Sequence, residues 1–462
     1  MKTLTQLISK FSPFAGGADA QSLRLRVQTG SVLTMGGFGV AQSLRLVSNL
    51  ILTRLLMPEA FGLMAVAVSI NIWAVMLSDI GVGTSVVRSK NSDDPDFLHT
   101  AWTVQFARNT IVWCVILLAA LSVWLLNTSG AFSTDSIYAN PILPWVMAAA
   151  GAQVFIGAFS SINKAMAQRK LAMGRIIALE ISAQLIAMLT TIAFAAAGFG
   201  VWALIIGMLT NAAVTTAASH FVFPGPAMRF GFKREYFWEI FHFGKWLIIA
   251  SFFGFLVNRG DQILFGGFMN SDNFSLYAIA TMWIGAASAI VQTLMRRILY
   301  PAYSEIIRER PKSLTNAYYK SRLAVEAGSI TLAFGAFFFA EPVFAILYPD
   351  SYAGVGYYVK LLAPFLLLTP FRLINVAVLA GGDSRNFTAV TVLAGIAVLC
   401  LTPLMFSFAG EKAAIVTFAL AETLSLPIIW RIGSKHIRLK PLAEVRMLFV
   451  MALLVVLIFT IG

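Results

Sequence analysis

Apolar runs long enough for a helix to cross a bilayer recur along the chain, separated by short polar breaks. A spanning helix needs about 20 mostly apolar residues. Such runs lie near 31–55, 59–80, 103–126, 142–162, 175–197 and 200–222, and again near 244–268, 274–299, 323–346, 356–380, 387–409 and 412–431. A last apolar run covers 446–461. The pattern predicts an all-α integral membrane protein with twelve spans and an extra C-terminal one. Gly198 and Gly200 mark a tight turn between the fifth and sixth spans, which makes those helices antiparallel neighbours.

The two halves resemble each other. Leu55 to Ala67 lies over Phe268 to Ala280 at a constant offset, with Glu59/Asp272, Phe61/Phe274, Leu63/Leu276, Ala65/Ala278 and Ala67/Ala280 matching. The same offset carries span 1 onto span 7. An even number of spans separates them, so the halves share one orientation, as in a parallel duplication about an axis along the membrane normal. The expected architecture is two six-helix lobes around a central cavity. The tail is 1–30, the first lobe 31–222, the cytoplasmic link 223–243 and the second lobe 244–432. A cytoplasmic loop and the thirteenth span follow over 433–462.

Composition agrees: 58% of the 462 residues are hydrophobic and 12% charged, against about 25% charged in a soluble domain. The net charge of +13 follows from loop bias and needs no nucleic-acid partner. With the N-terminus in the cytoplasm and spans alternating, most of the 34 Lys and Arg fall in cytoplasmic segments. That orientation places the C-terminus outside if 446–461 spans. The basic N-terminal segment lacks the apolar core of a signal peptide. Cys114 and Cys400 lie in apolar runs and read as small hydrophobes, without a disulfide or a metal.

No catalytic constellation stands out, and no metal or other cofactor is implied. The four histidines are scattered, and neither a Walker A sequence, H-E-x-x-H nor G-x-S-x-G occurs. Charge inside the spans is the candidate chemistry, because such groups usually face a bundle interior or water. Span 1 carries Gln42, Arg45 and Asn49 at spacings of three and four, with Arg54 near its outer end. Span 7 carries Asn258, Arg259, Asp261 and Gln262, and the repeat places Gln262 over Asn49. Two polar stripes, each with an Arg, would line a cationic cavity suited to a diphosphate. The bland alternative is that Arg259 pairs with Asp261 and Arg45 snorkels. Glu422 in span 12 and Asp79 at the inner end of span 2 are candidate ion-coupling acids, with Glu180, Glu326 and Arg372 behind them.

Arg54 to Gly62 resembles the loop after the first span of bacterial polysaccharide transporters. Asp79-Ile80-Gly81-Val82-Gly83 with Arg88 is similar to the end of their second span. Ala167 to Leu171 and Gly198 to Leu204 are similar to their spans 4 to 6, and Pro301-Ala302-Tyr303-Ser304 to the end of span 8. The resemblance covers roughly residues 30 to 430. It implies an oligosaccharide flippase of the multidrug/oligosaccharidyl-lipid/polysaccharide exporter superfamily, resident in the bacterial inner membrane. Such proteins carry an undecaprenyl-diphosphate-linked oligosaccharide (O-antigen, capsule or exopolysaccharide unit) across by alternating access. They work among membrane lipids, are driven by a coupling ion (H⁺ or Na⁺), and associate with polysaccharide polymerase machinery. The alternatives are a cation-coupled multidrug antiporter of the same superfamily, which would want an acidic cavity, and a membrane glycan polymerase. A polymerase would want a large extracytoplasmic loop, and the longest here, Asn127–Pro144, holds only Asp135 as an acid and no Arg. A thirteenth span departs from the family's usual counts.

Overall fold

A computed structural model describes residues 36–78, 80–170, 172–295, 299–309, 311–380, 384–435 and 437–461. The expected tail, 1–30, and Asp79 lie outside the described residues. Among the described residues, each of the thirteen apolar runs is largely helical. The first half holds α1 (36–52), α2 (Pro58–Leu77), α3 (Pro95–Thr128), α4 (Leu143–Ala158), α5 (Met173–Ala196) and α6 (Val201–Val222). The second holds α7 (Arg234–Phe268), α8 (Ser271–Leu294) and α9 (Leu314–Leu347). Then comes α10, a broken span running through Val355–Leu362, Ala363–Leu368 and Thr369–Ala380. The α11 helix (Ser384–Leu420) is kinked at Gly410 and continues through the turn Ala421–Ser425 into α12 (Leu426–Gly433); α13 (Pro441–Ile461) follows. This is a multi-pass membrane protein: among the described residues nine helices, or ten counting a bent pair, are long and apolar enough to cross a bilayer.

Local chemistry sets the helix starts. Pro58 occupies the first turn of α2, where its missing N–H costs nothing and its φ is already helical. Asp94 caps α3 by accepting from the Asp96 N–H at 2.9 Å, again with Pro next in sequence. Asn270 caps α8 by accepting from the Asn273 N–H at 2.8 Å.

The repeat is visible in these boundaries. The second helix of each half starts at Pro58 and at Ser271, and the third helix has 34 residues in both halves. Burial follows the same register: Glu59 and Asp272 are exposed, while Gly62 and Ser275, Val66 and Ile279, and Ala67 and Ala280 are buried. A glycine at positive φ breaks the helical path late in each half: Gly200 (φ 57°) between α5 and α6, and Gly410 (φ 77°) at the kink inside α11. An L side chain at such a φ meets the following carbonyl, so glycine fits both places. The buried face of α2 is built from small side chains, Ala60, Gly62, Ala67, Ser69 and Ala74 among them. In lipid, close approach and van der Waals contact hold helices together, since burial from water no longer does.

The chain forms two compact units, Met1–Thr134 with Tyr138–Phe252, and Asp135–Ile137 with Phe253–Gly462. The division falls inside α7. The link expected over 223–243 is extended chain only up to 233, because α7 already begins at Arg234. No Gly or Pro interrupts Arg234–Phe243, so nothing local ends the helix there.

Candidate functional site: the intramembrane charges

Most charged side chains inside the spans are matched within their own unit. In the second unit Arg322 of α9 is 1% exposed, and its Nε lies 2.7 Å from Glu326 Oε1, one helical turn on. Its Nη1 donates to the Tyr318 hydroxyl at 2.8 Å and also to Glu444 of α13. Glu326 is bonded in turn by Arg446, and Glu444 accepts from the Trp430 Nε1–H at 3.0 Å. Two guanidinium groups and two carboxylates thus close into a neutral quartet that fastens the thirteenth helix to the ninth. Arg322 also lies over the Phe371 ring at 5.8 Å. A buried group of this kind persists only when every charge is answered.

Arg372 of α10 is matched as well. Its Nε and Nη2 both donate to Glu422 Oε2, at 2.8 and 2.6 Å, and its guanidinium stacks over Phe365. The candidate ion-coupling acid Glu422 is therefore held by a cation rather than standing alone. In the first unit Arg108 donates to the Val75 carbonyl at 3.2 Å and to Ser78 Oγ at 3.3 Å, and Glu180 is bonded by Lys164 at 2.9 Å.

The first helix of each half is different. Arg45 and Arg54 on α1, and Arg259 on α7, are exposed. Among the described residues, none of the three makes a hydrogen bond or an ion pair. The stripe expected on α1 is split in depth: Asn49 is buried, Gln42 half-buried and Arg45 exposed. A guanidinium reaches several ångströms further from the helix axis than an amide, so neighbours on one face end at different depths.

On α7 Arg259 and Asp261, the pair of the bland alternative, make no ion pair or hydrogen bond among the described residues, although their charges still interact. Asp261 is buried, and its Oδ2 accepts from the Tyr277 hydroxyl at 2.7 Å and from Gln262 Nε2 at 3.1 Å. Gln262, also buried, donates to Thr281 Oγ1 at 2.8 Å. Asp261 Oδ1 and Gln262 Oε1 are left without a partner among the described residues. Successive residues leave a helix about 100° apart, so positions 259 and 261 project on opposite sides. Asn258 donates back to the Gly254 carbonyl at 2.7 Å. The sequence-predicted residues therefore sort into exposed, unmatched cations (Arg45, Arg54, Arg259) and buried polar groups within each unit (Asn49, Asp261, Gln262).

The quartet was only half legible in the sequence. Arg322 and Glu326 stand at i, i+4 and announce themselves as a pair. Glu444 and Arg446 come from a helix more than a hundred residues on, and no local spacing predicts that meeting.

The fold has solved counterparts. The lipid II flippase MurJ in an inward closed conformation superposes with a TM-score of 0.65 at 12% identity, over 94% of this chain and 92% of that one. An inward-facing multidrug resistance MATE family transporter of the MOP superfamily gives 0.63 at 16% identity, over 88% and 95%. At these identities the likeness concerns the fold. In sequence, the succinoglycan biosynthesis transport protein ExoT of Rhizobium meliloti (strain 1021) is 22% identical over 337 residues, 70% of this chain. The match spans 62% of that relative's length. The family described as "Polysaccharide biosynthesis protein" matches residues 51–356, from the end of α1 into α10. The chain belongs to that polysaccharide biosynthesis family and has the helical fold of the MOP superfamily.

Proposed function

We propose that the chain is a flippase that moves an undecaprenyl-diphosphate-linked oligosaccharide across the bacterial inner membrane by alternating access. The observation that carries this reading is the sorting of cations. Arg322, Arg372 and Arg446 are answered by carboxylates, whereas Arg45 and Arg259, one on the first helix of each half, are not. An unanswered guanidinium in a span is costly and calls for an anion from elsewhere. A lipid diphosphate supplies one, and the planar fork of arginine donates to it bidentately while staying charged. Gln42, half-buried on α1, offers an amide for the sugars, and Arg54 adds a cation at the outer end, while the buried Asn49 and Gln262 stiffen the polar faces of the same helices. The prenyl tail stays in lipid. The N-terminus is cytoplasmic, a proton or sodium gradient supplies the driving force, and the product passes to polymerase machinery. Membership of a polysaccharide biosynthesis family and the name of the ExoT relative support the substrate class.

One observation favours a second reading, a cation-coupled antiporter. Asp261 is a buried carboxylate with an unpartnered oxygen, which suits a proton or a sodium ion better than a diphosphate. The two readings part in one experiment. Cells lacking the chain should accumulate lipid-linked oligosaccharide on the inner leaflet, and a plasmid copy should clear it. Normal glycan export without the chain, together with lost resistance to cationic drugs, would overturn the first reading in favour of the second.

A further inference from the structure

The segment between α6 and α7 is a strap rather than a loose tether. Its backbone is bolted along α3: the Gly231 N–H donates to Thr103 Oγ1 at 3.0 Å and the Lys233 N–H to Thr100 Oγ1 at 3.1 Å. The Lys233 ammonium pairs with Asp96 at 2.5 Å, and the Tyr236 hydroxyl donates to Asp94 at 2.5 Å. Glu239 accepts from Ser89 at 2.6 Å and from Asn91 at 3.0 Å. Asn163 holds the Pro226 carbonyl at 3.2 Å.

A segment held this firmly still turns large apolar side chains outward. Phe230 is 63% exposed, Phe232 61% and Trp238 42%. Phe230 lies 4.7 Å from the Trp102 ring and 5.2 Å from Phe106, at the end of the long apolar stretch of α3. That contact packs the strap against the N-terminal part of α3's apolar stretch. Arg229 and Arg234 flank these rings, are exposed, and have no partner among the described residues. Outward aromatics between unmatched cations are the composition of a surface that meets headgroups, with rings in the acyl boundary and charges on phosphates.

We propose that the strap, through Arg229, Arg234, Phe230, Phe232 and Trp238, binds the headgroup of an anionic phospholipid. This site is separate from the transport site and does not depend on the substrate assigned above. The full-length protein, delipidated in detergent, is offered equal amounts of phosphatidylglycerol and phosphatidylcholine, and retained lipid is read by native mass spectrometry. The wild type should prefer phosphatidylglycerol, and the preference should weaken as salt is raised. The double variant R229Q/R234Q should lose about thirtyfold of it, as expected for two cations beside a phosphate. Its melting temperature should not move, because neither guanidinium bonds to the protein among the described residues. F232S should lower retention of both lipids alike. A preference unchanged in R229Q/R234Q would overturn the proposal. So would competition by inorganic diphosphate at the same concentration as the lipid, which would make the strap a general anion site.

Discussion

Arg322 and Arg259 belong to the same compact unit, yet they live under opposite rules. Arg322 is enclosed by two carboxylates, a tyrosine hydroxyl and an aromatic face, and its charge is used up in holding α13 against α9. Arg259 is exposed on α7 with no carboxylate in bonding range among the described residues, although Asp261 is two positions away. The first arrangement is architecture, since every charge is answered from within the unit. The second leaves a charge available to something that is not part of the chain. Where an arginine's counter-charge comes from, rather than its presence in a span, separates a structural cation from a binding one.

The largest expected effect is on the structural side. Arg322→Leu strips the counter-charge from Glu326 and Glu444 in a buried setting, and loss of one partner in such a group costs about 3–5 kcal/mol. The variant should show a sharply lower melting temperature in detergent and poor yield. The double variant Arg322→Leu/Glu444→Leu leaves Glu326 with Arg446 and should recover part of the loss. No recovery would mean that charge balance is not what the quartet supplies.

Next comes the binding side. Arg259→Gln and Arg45→Gln should each reduce transport roughly tenfold to a hundredfold, the equivalent of one charged hydrogen-bonding contact of about 1.5–3 kcal/mol. Their melting temperatures should stay within a degree or two of wild type, because neither side chain makes a hydrogen bond or ion pair among the described residues. A destabilisation like that of Arg322→Leu would dissolve the distinction between the two regions.

A smaller effect tests the repeat that places Arg45 and Arg259 on equivalent helices. Gly200→Ala and Gly410→Ala each force a Cβ into the left-handed region and should cost about 1–2 kcal/mol apiece. Equal losses in the two halves are expected in thermal melts, and a loss in only one would break the equivalence of the two glycines.

The smallest effect concerns the strap. The Tyr236 hydroxyl, and then the Asp96 N–H, hold the Asp94 carboxyl below the ordinary carboxylate range, while bonding to Asp96 raises Lys233. A group depressed by folding stabilises the fold above its unfolded pKa, and that contribution is lost as pH falls through the folded one. The protection of amides across 227–240, taken relative to their intrinsic exchange rates at each pH, should therefore fall at acid pH, below the usual aspartate value, and be indifferent between neutral and mildly alkaline pH. In Tyr236→Phe the acid dependence should shift upward toward ordinary aspartate behaviour.

Much of the scaffold was legible along the chain. Among the described residues the thirteen apolar runs are largely helical, and the repeat marked by Glu59/Asp272 and Ala67/Ala280 reappeared in helix starts, burial and positive-φ glycines. Periodicity and breaker residues are local signals, and lipid removes the ambiguity that a soluble core would add. The residue types on α1 and α7 on which the proposed site draws were legible, but their pairings were not. Neighbours in sequence, Arg259 and Asp261, point apart, while Arg372 and Glu422 meet from distant spans. The strap was the least visible element, because its bolts are single hydroxyls and carboxylates at the end of α3 that carry no spacing of their own.

The proposed transport requires Arg45 and Arg259 to hold a lipid diphosphate. The most direct measurement places purified wild type and the charge-reversed R45E/R259E protein in liposomes loaded with a fluorescent undecaprenyl-diphosphate oligosaccharide. Appearance of the sugar on the far leaflet is followed with a membrane-impermeant lectin or glycosidase. Rapid exposure by the wild type, and none above protein-free liposomes by an equally stable R45E/R259E variant, is the expected result. Undiminished exposure by the variant would contradict it.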